Sequence, residues 1–201
     1  MTRMPPDSAA AEWAEALIHG RRTVLPRRLA DPGPDAAQLQ RILGAAAAAP
    51  DHGELVPWRF VLVPDARRPA LATVFEQALR ERDGEATAEQ LAQAREKAFR
   101  APVLMLAIAD LGPADADVPA HERVLSAGCA VQNIMLMATA LGFGSALTSG
   151  KALPSPGLRR LFALREREQA LCFLSIGSIA GTRRARARPE VRRYVSELGA
   201  P

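Results

Sequence analysis

Cysteine is nearly absent: Cys129 and Cys172 are the only two in 201 residues, far apart and each inside an apolar run. A zinc site wants Cys or His pairs at short spacing, and a disulfide framework wants more cysteines. Both thiols therefore read as reduced and buried, and no metal is expected. Aromatic residues are scarce at 4%, with Tyr194 the single tyrosine. No G-x-G-x-x-G follows a strand-like run and no G-x-x-x-x-G-K-[ST] occurs, which disfavours a dinucleotide-binding βαβ unit and a P-loop. Nothing resembles a Ser-His-Asp or Cys-His arrangement for nucleophilic chemistry. The most apolar stretch, Ser126 to Leu141, is interrupted by Gln132 and Asn133 and is shorter than the roughly 20 residues needed to cross a bilayer. Residues 1–11 lack a continuous apolar segment, so neither a signal peptide nor a membrane partner is expected, and the expected location is cytoplasmic.

What is present is an ordinary globular balance, 48% apolar and 24% charged, in a chain long enough for one packed domain with residues 1–11 and 183–201 as flanking tails. The net charge of +4 is unevenly placed. Between Arg159 and Arg193, ten arginines face three glutamates, a local +7, so the remainder carries −3. Such a tail attracts polyanions. Yet no aromatics are interleaved to stack bases, and no helix-turn-helix or zinc-finger spacing occurs. No nucleic-acid partner is expected; a solvated surface or a phosphate clamp for one cofactor explains the charge more simply.

Hydrophobic spacing predicts a helix over residues 8–19 with Trp13, Leu17 and Ile18 on one face. A second helix starts near Asp35, a plausible N-cap, and runs through Leu39, Ile42 and Leu43 until Pro50. Residues 59–63 read as a strand, and 67–100 as two helices broken at Asp83-Gly84. The unbroken apolarity of Val103 to Ala109 predicts a strand buried on both faces. A long helix over 123–141 ends at Gly142, followed by a short strand at 145–148, a helix at 158–164 and a buried strand at 170–177. The pattern is α/β (α+β), a central mixed sheet sandwiched by helices.

Three motifs carry chemistry. Arg21-Arg22-Thr23 leaves the first helix with two guanidiniums and a hydroxyl, donors suited to a phosphate or a ribityl chain. Ala49-Pro50-Asp51-His52, followed by Pro57-Trp58-Arg59-Phe60, lies in a Pro-bounded loop between helix and strand. Gly142-Phe143-Gly144-Ser145 and Leu147-Thr148-Ser149-Gly150 make a glycine-rich turn and a short polar run. Ser126 to Ala130, preceded by Glu122, places small residues where another helix could pack closely.

In this order the motifs resemble the FMN-dependent nitroreductase family, within it the small YdjA-type branch, over roughly residues 12–182. The resemblance implies that Arg21, Arg22 and Thr23 contact the flavin's phosphate, ribityl chain and pyrimidine edge. It implies that His52 reaches the flavin from the partner subunit, and that Leu147, Thr148 and Ser149 pass the flavin ring. Arg186 and Arg188 are the implied tail contacts to the phosphate. Met137, Leu141 and Gly142 would border the nicotinamide or substrate. Glu54 and Val56 stand near where larger members carry amides, and Thr148 where near relatives carry a basic residue.

The resemblance further implies a homodimer with interdigitated subunits and FMN at the interface. The activity implied is ping-pong transfer of hydride from NADH or NADPH to a small-molecule acceptor, nitroaromatic or quinone-like. The flavin carries the chemistry, with no catalytic side chain required. Two alternatives remain: a flavin-binding or flavin-modifying member with little nitroreductase turnover, or a non-enzymatic basic adaptor.

Overall fold

The structure is a computed structural model that describes residues 8–113, 116–181 and 187–199. Six helices and five strands alternate along them: α1 (Ser8–Gly20), β1 (Leu29–Ala30), α2 (Ala36–Gly44), β2 (Trp58–Leu62), α3 (Arg68–Arg82), α4 (Ala88–Glu96), β3 (Val103–Asp110), α5 (Ala120–Ala140), β4 (Gly144–Thr148), α6 (Pro156–Leu161) and β5 (Glu168–Ile179). Local signals start and stop them. Asp35 and Gln38 form a reciprocal capping box at α2, as Thr87 and Gln90 do at α4. At the end of α5, Gly142 adopts φ +85° and the Phe143 amide donates to the Ala138 carbonyl, so the expected glycine stop is present.

β5 is the hub of the sheet. It pairs antiparallel with β3 along Val103–Asp110, with β4 along Gly144–Thr148, and with β1 at Leu29 and Ala30; β2 lies outside β3. Among the described residues the parallel component is a single bridge, Thr23 to Ser145. β3 alternates strictly between two cores. Met105 and Ala107 pack with Ile42 of α2 and with Ala130, Val131, Ile134 and Ala138 of α5. Leu104, Leu106 and Ile108 face the other way, onto Leu71 and Ala72 of α3, Leu158 of α6 and Phe173. Helices on both faces explain why this strand reads as an unbroken apolar run even though its neighbours are antiparallel.

Several expectations shift. β1 escapes the sequence reading because two residues carry no period. α2 stops at Gly44, and 45–48 tighten into a 3-10 turn before Pro50. α5 begins at Ala120 and β5 spans 12 residues. Cys172 is buried, and burial pushes its thiol up to about 11, but Cys129 is only half-buried, on the flank of α5.

Two arginine networks bind the layers. Glu168, at the start of β5, has its side chain 1% exposed. Arg59 grips it through Nε and Nη2, each at 2.8 Å, and Arg165 adds Nε, Nη2 and its backbone amide at 2.9, 2.7 and 2.8 Å. Hydrogen bonding from Arg59 holds the carboxyl well below the usual carboxylate range against the opposing effect of burial, with Arg165 adding to it. A depressed folded value stabilises the fold above the unfolded value of about 4.3, and that stability is lost as pH falls through the folded value. Glu168→Gln is expected to cost about 3 kcal/mol at pH 7, because Arg59 loses its charge partner and Arg165 keeps only Asp110, at 3.6 Å. Urea unfolding should show the gap to wild type narrowing at pH 3; a gap that widens on acidification would refute the assignment.

Arg68, at the start of α3, is 3% exposed. Its guanidinium donates to the carbonyls of Val63, Ala98, Arg100, Ala101 and Pro102 at 2.8–3.4 Å, pinning the turn in which Ala101 holds φ +67°.

Candidate functional site: an unpaired arginine cluster

Arg21-Arg22-Thr23 leaves α1 and runs beside the start of β4. Thr23 bridges Ser145, and the Val24 amide donates to the Ser145 carbonyl at 2.9 Å. Gly144 permits this approach: a Cβ there would lie 2.8 Å from Ile179 and Leu29 and 3.0 Å from Val24. The glycine-rich turn thus seats the arginine pair.

Both arginines are half-buried, and the Nη1 atom of each is buried without a hydrogen-bond partner. Arg188 joins them from the tail, its Nη2 donating to the backbone carbonyls of Arg21 at 2.9 Å and His19 at 3.4 Å. Among the described residues no carboxylate pairs with Arg21, Arg22 or Arg188. Burial, then Arg188, then Arg22 push the Arg21 guanidinium below its usual value. Buried donors and uncompensated positive charge are the features an anion would satisfy. Arg188 also lines a cleft of about 640 Å³ with Ala187, Pro189, Arg193 and Tyr194.

Several other arginines of the basic region are differently employed. Arg165 and Arg167 pair with Asp110, Arg165 also with Glu168, and Arg192 with Glu190, while Arg159 donates to three backbone carbonyls. Arg186 lies outside the described residues.

Leu147 and Ser149 are exposed and Thr148 is half-exposed on and just beyond β4. Met137 and Leu141, half-buried near the end of α5, pack against the α5-side core, with Gly142 exposed beyond them. His52 stands elsewhere. Its Nδ1 lies 2.9 Å from Glu122 Oε2 in the first turn of α5, with the two side chains 68% and 39% exposed. The 21 residues of α5 span about 30 Å. His52 therefore sits near one end of this helix and the arginine cluster near the other. The sequence reading missed Glu122 as the partner of His52, because nothing local couples residues 70 positions apart.

The loop around His52 is strained. Gly53, Glu54 and Val56 adopt φ of +76°, +52° and +46°, rare for a β-branched residue. The Val56 amide is held by Asp51 Oδ2 at 2.7 Å, and Asp51 Oδ1 is buried without a hydrogen-bond partner. Strain of this kind gathers at functional sites.

A profile of the Nitroreductase family matches residues 18–178, which include the arginine pair, the His52 loop and both β4 motifs. The chain belongs to the nitroreductase family. It is 39% identical over 153 residues, 76% of this chain and 82% of the other, to a Haemophilus influenzae protein named as a candidate NAD(P)H nitroreductase. It is 36% identical over 162 residues, 81% of this chain and 86% of the other, to YdjA of Escherichia coli, similarly named. These relatives bear out the YdjA-type resemblance. The nitroreductase-like family protein of Bacillus cereus superposes with a TM-score of 0.76 at 21% identity, covering 98% of both chains. An FMN-dependent nitroreductase of Clostridium difficile superposes at 0.65 with 20% identity, covering 92% of this chain and 98% of the other. The nitroreductase fold expected from the motifs is therefore the one observed. Among the described residues no acidic, His and Cys group has metal-site geometry, and no helix is long and apolar enough to cross a membrane.

Proposed function

We propose that this nitroreductase-family chain is an FMN-dependent NAD(P)H oxidoreductase, acting as a homodimer on nitroaromatic or quinone-like acceptors by a ping-pong scheme. One observation carries the proposal: the arginine cluster at the α1–β4 junction, with two buried Nη1 donors left unbonded, fits the phosphate of a flavin mononucleotide. The chemistry a bound FMN would supply is hydride transfer between nicotinamide and acceptor. The chain's own residues bind and orient. Arg21, Arg22 and Arg188 would hold the phosphate, Thr23 the ribityl side, and Leu147, Thr148 and Ser149 the edge of the ring. Met137, Leu141 and Gly142 would border the donor and acceptor. The tail contact falls to Arg188, which already touches the backbone of the arginine pair.

The same geometry supports the dimer. If His52 and Arg21 serve one flavin, a single chain cannot supply both across the roughly 30 Å of α5. A twofold axis near the middle of α5 would bring His52 of one protomer to the flavin seated by its partner's arginine cluster. The small residues Ser126–Ala130 run up to the middle of that helix, and a Cβ at Gly128 would meet nothing within 4 Å. Leu125 of α5, Trp13 and Ile18 of α1, and Leu55 and Val56 of the His52 loop expose 42–77% of their surface, apolar area suited to a partner.

The reading is tested by an absorbance spectrum of the purified protein with FMN, then NADH or NADPH without oxygen, alongside light scattering for mass. Flavin bands that bleach on a particle of twice the chain mass are expected. Bound FMN that resists reduction would favour a flavin-modifying member. A colourless monomer that rejects FMN would sink the proposal and bring back the basic adaptor.

A further inference from the structure

His52 and Glu122 form a pair with a chemistry of its own. A carboxylate only accepts, so the hydrogen of the 2.9 Å contact belongs to Nδ1. Held this way, the neutral ring presents a lone pair at Nε2, and the charged ring presents an N–H there. Whichever form is present, the proton gained or lost is the one at Nε2. Among the described residues Nε2 makes no hydrogen bond, and the side chain is 68% exposed. The strained turn of Gly53, Glu54 and Val56, tied by Asp51 to the Val56 amide, holds the loop beside it. The charged neighbours are Asp51 and Glu54 on the loop and His121, Glu122 and Arg123 on α5, with Arg123 Nε engaged by the Val118 carbonyl.

Resting on the proposed function, in which His52 faces the partner's flavin, we propose that the His52–Glu122 pair carries the proton consumed in acceptor reduction, with Glu122 as its positioning residue. Reduction of a quinone-like acceptor to its hydroquinone takes one hydride and one proton. A bound FMN would supply the hydride. The proton leaves His52 Nε2 as an O–H bond forms on the acceptor. The ring remains neutral with Nδ1–H on Glu122, and Nε2 then regains a proton from water.

The test has two arms. In protein with ¹⁵N-labelled histidine, at a pH where the ring is neutral, the wild-type His52 resonances should report hydrogen on Nδ1. In Glu122→Ala they should report the Nε2–H form, with the Nδ1–H form restored in Glu122→Asp. In the holoenzyme, turnover with a quinone is compared with turnover with ferricyanide, which takes electrons without protons. Positioned acid–base groups contribute about 10²–10⁴ in rate, so Glu122→Ala should lower the quinone-to-ferricyanide ratio at least tenfold and Glu122→Asp should recover most of it. Equal losses with both acceptors, or an Nε2–H ring in the wild type, would overturn the proposal. If the protein bound no FMN, the function and the carrier role would fall together, while the tautomer would still read the pair itself.

Discussion

Replacing Arg21 and Arg22 together by alanine is expected to weaken FMN binding at least a hundredfold and to leave the flavin-free protein no less stable than wild type. Hydrogen bonds to charged groups are worth about 1.5–3 kcal/mol each, so two such donors amount to roughly 10²–10⁴ in Kd. The stability half of the prediction comes from what the cluster lacks. Among the described residues no carboxylate pairs with these arginines, and burial together with Arg188 and Arg22 disfavours the charge on Arg21. Removing two of three crowded guanidiniums therefore relieves repulsion and breaks no ion pair. Inorganic phosphate should raise the melting temperature of the wild type and not of the double variant. Fluorescence titration with FMN and calorimetry without it check both halves. Unchanged FMN affinity would remove the anion site from this junction.

Arg68→Met is expected to be the most damaging single change away from the site, at about 3 kcal/mol or more, or roughly 6–12 °C in melting temperature. Methionine fills similar space but leaves up to five carbonyls without their donor, several at the turn where Ala101 sits at φ +67°. The nearest carboxylate, Asp65, is 3.9 Å away and fully exposed, so carbonyls and not an ion pair compensate the buried charge. Lysine should rescue little, since a compact ammonium has three donors against five in a planar fork. A melting point within a degree of wild type would show that the turn holds itself.

These two arginine sites differ in how far the sequence reveals them. Arg21-Arg22 after a helix is visible as a donor pair, and the glycines before Ser145 mark a close approach. Arg68 looks like any arginine near a helix start; only the fold of the chain from Ala98 to Pro102 around it makes it a staple. α2 was legible because Asp35 is a residue type that caps a helix and Leu39, Ile42 and Leu43 follow it at helical spacing. The end of α5 was legible because glycine accepts a positive φ at little cost. β1 was not, since its pairing with Ser178 and Ile179 comes from distant chain. The site divides in the same way. Arg21, Arg22 and His52 could be named from motifs, whereas Arg188 at the backbone of Arg21 and Glu122 at the ring of His52 are contacts across 167 and 70 positions.

The sequence by itself determined the order of the elements other than β1, the two-sided burial of β3 and the residue types offered to an anion. Periodicity, caps and turns act over a few residues, and those interactions are written in local order. The tertiary structure alone decided which arginines stay without carboxylates, which are spent on Glu168 and Asp110, and that His52 and the arginine cluster stand at opposite ends of α5. Such outcomes depend on distances between segments far apart in the chain, set by how the sheet and its two helical layers pack.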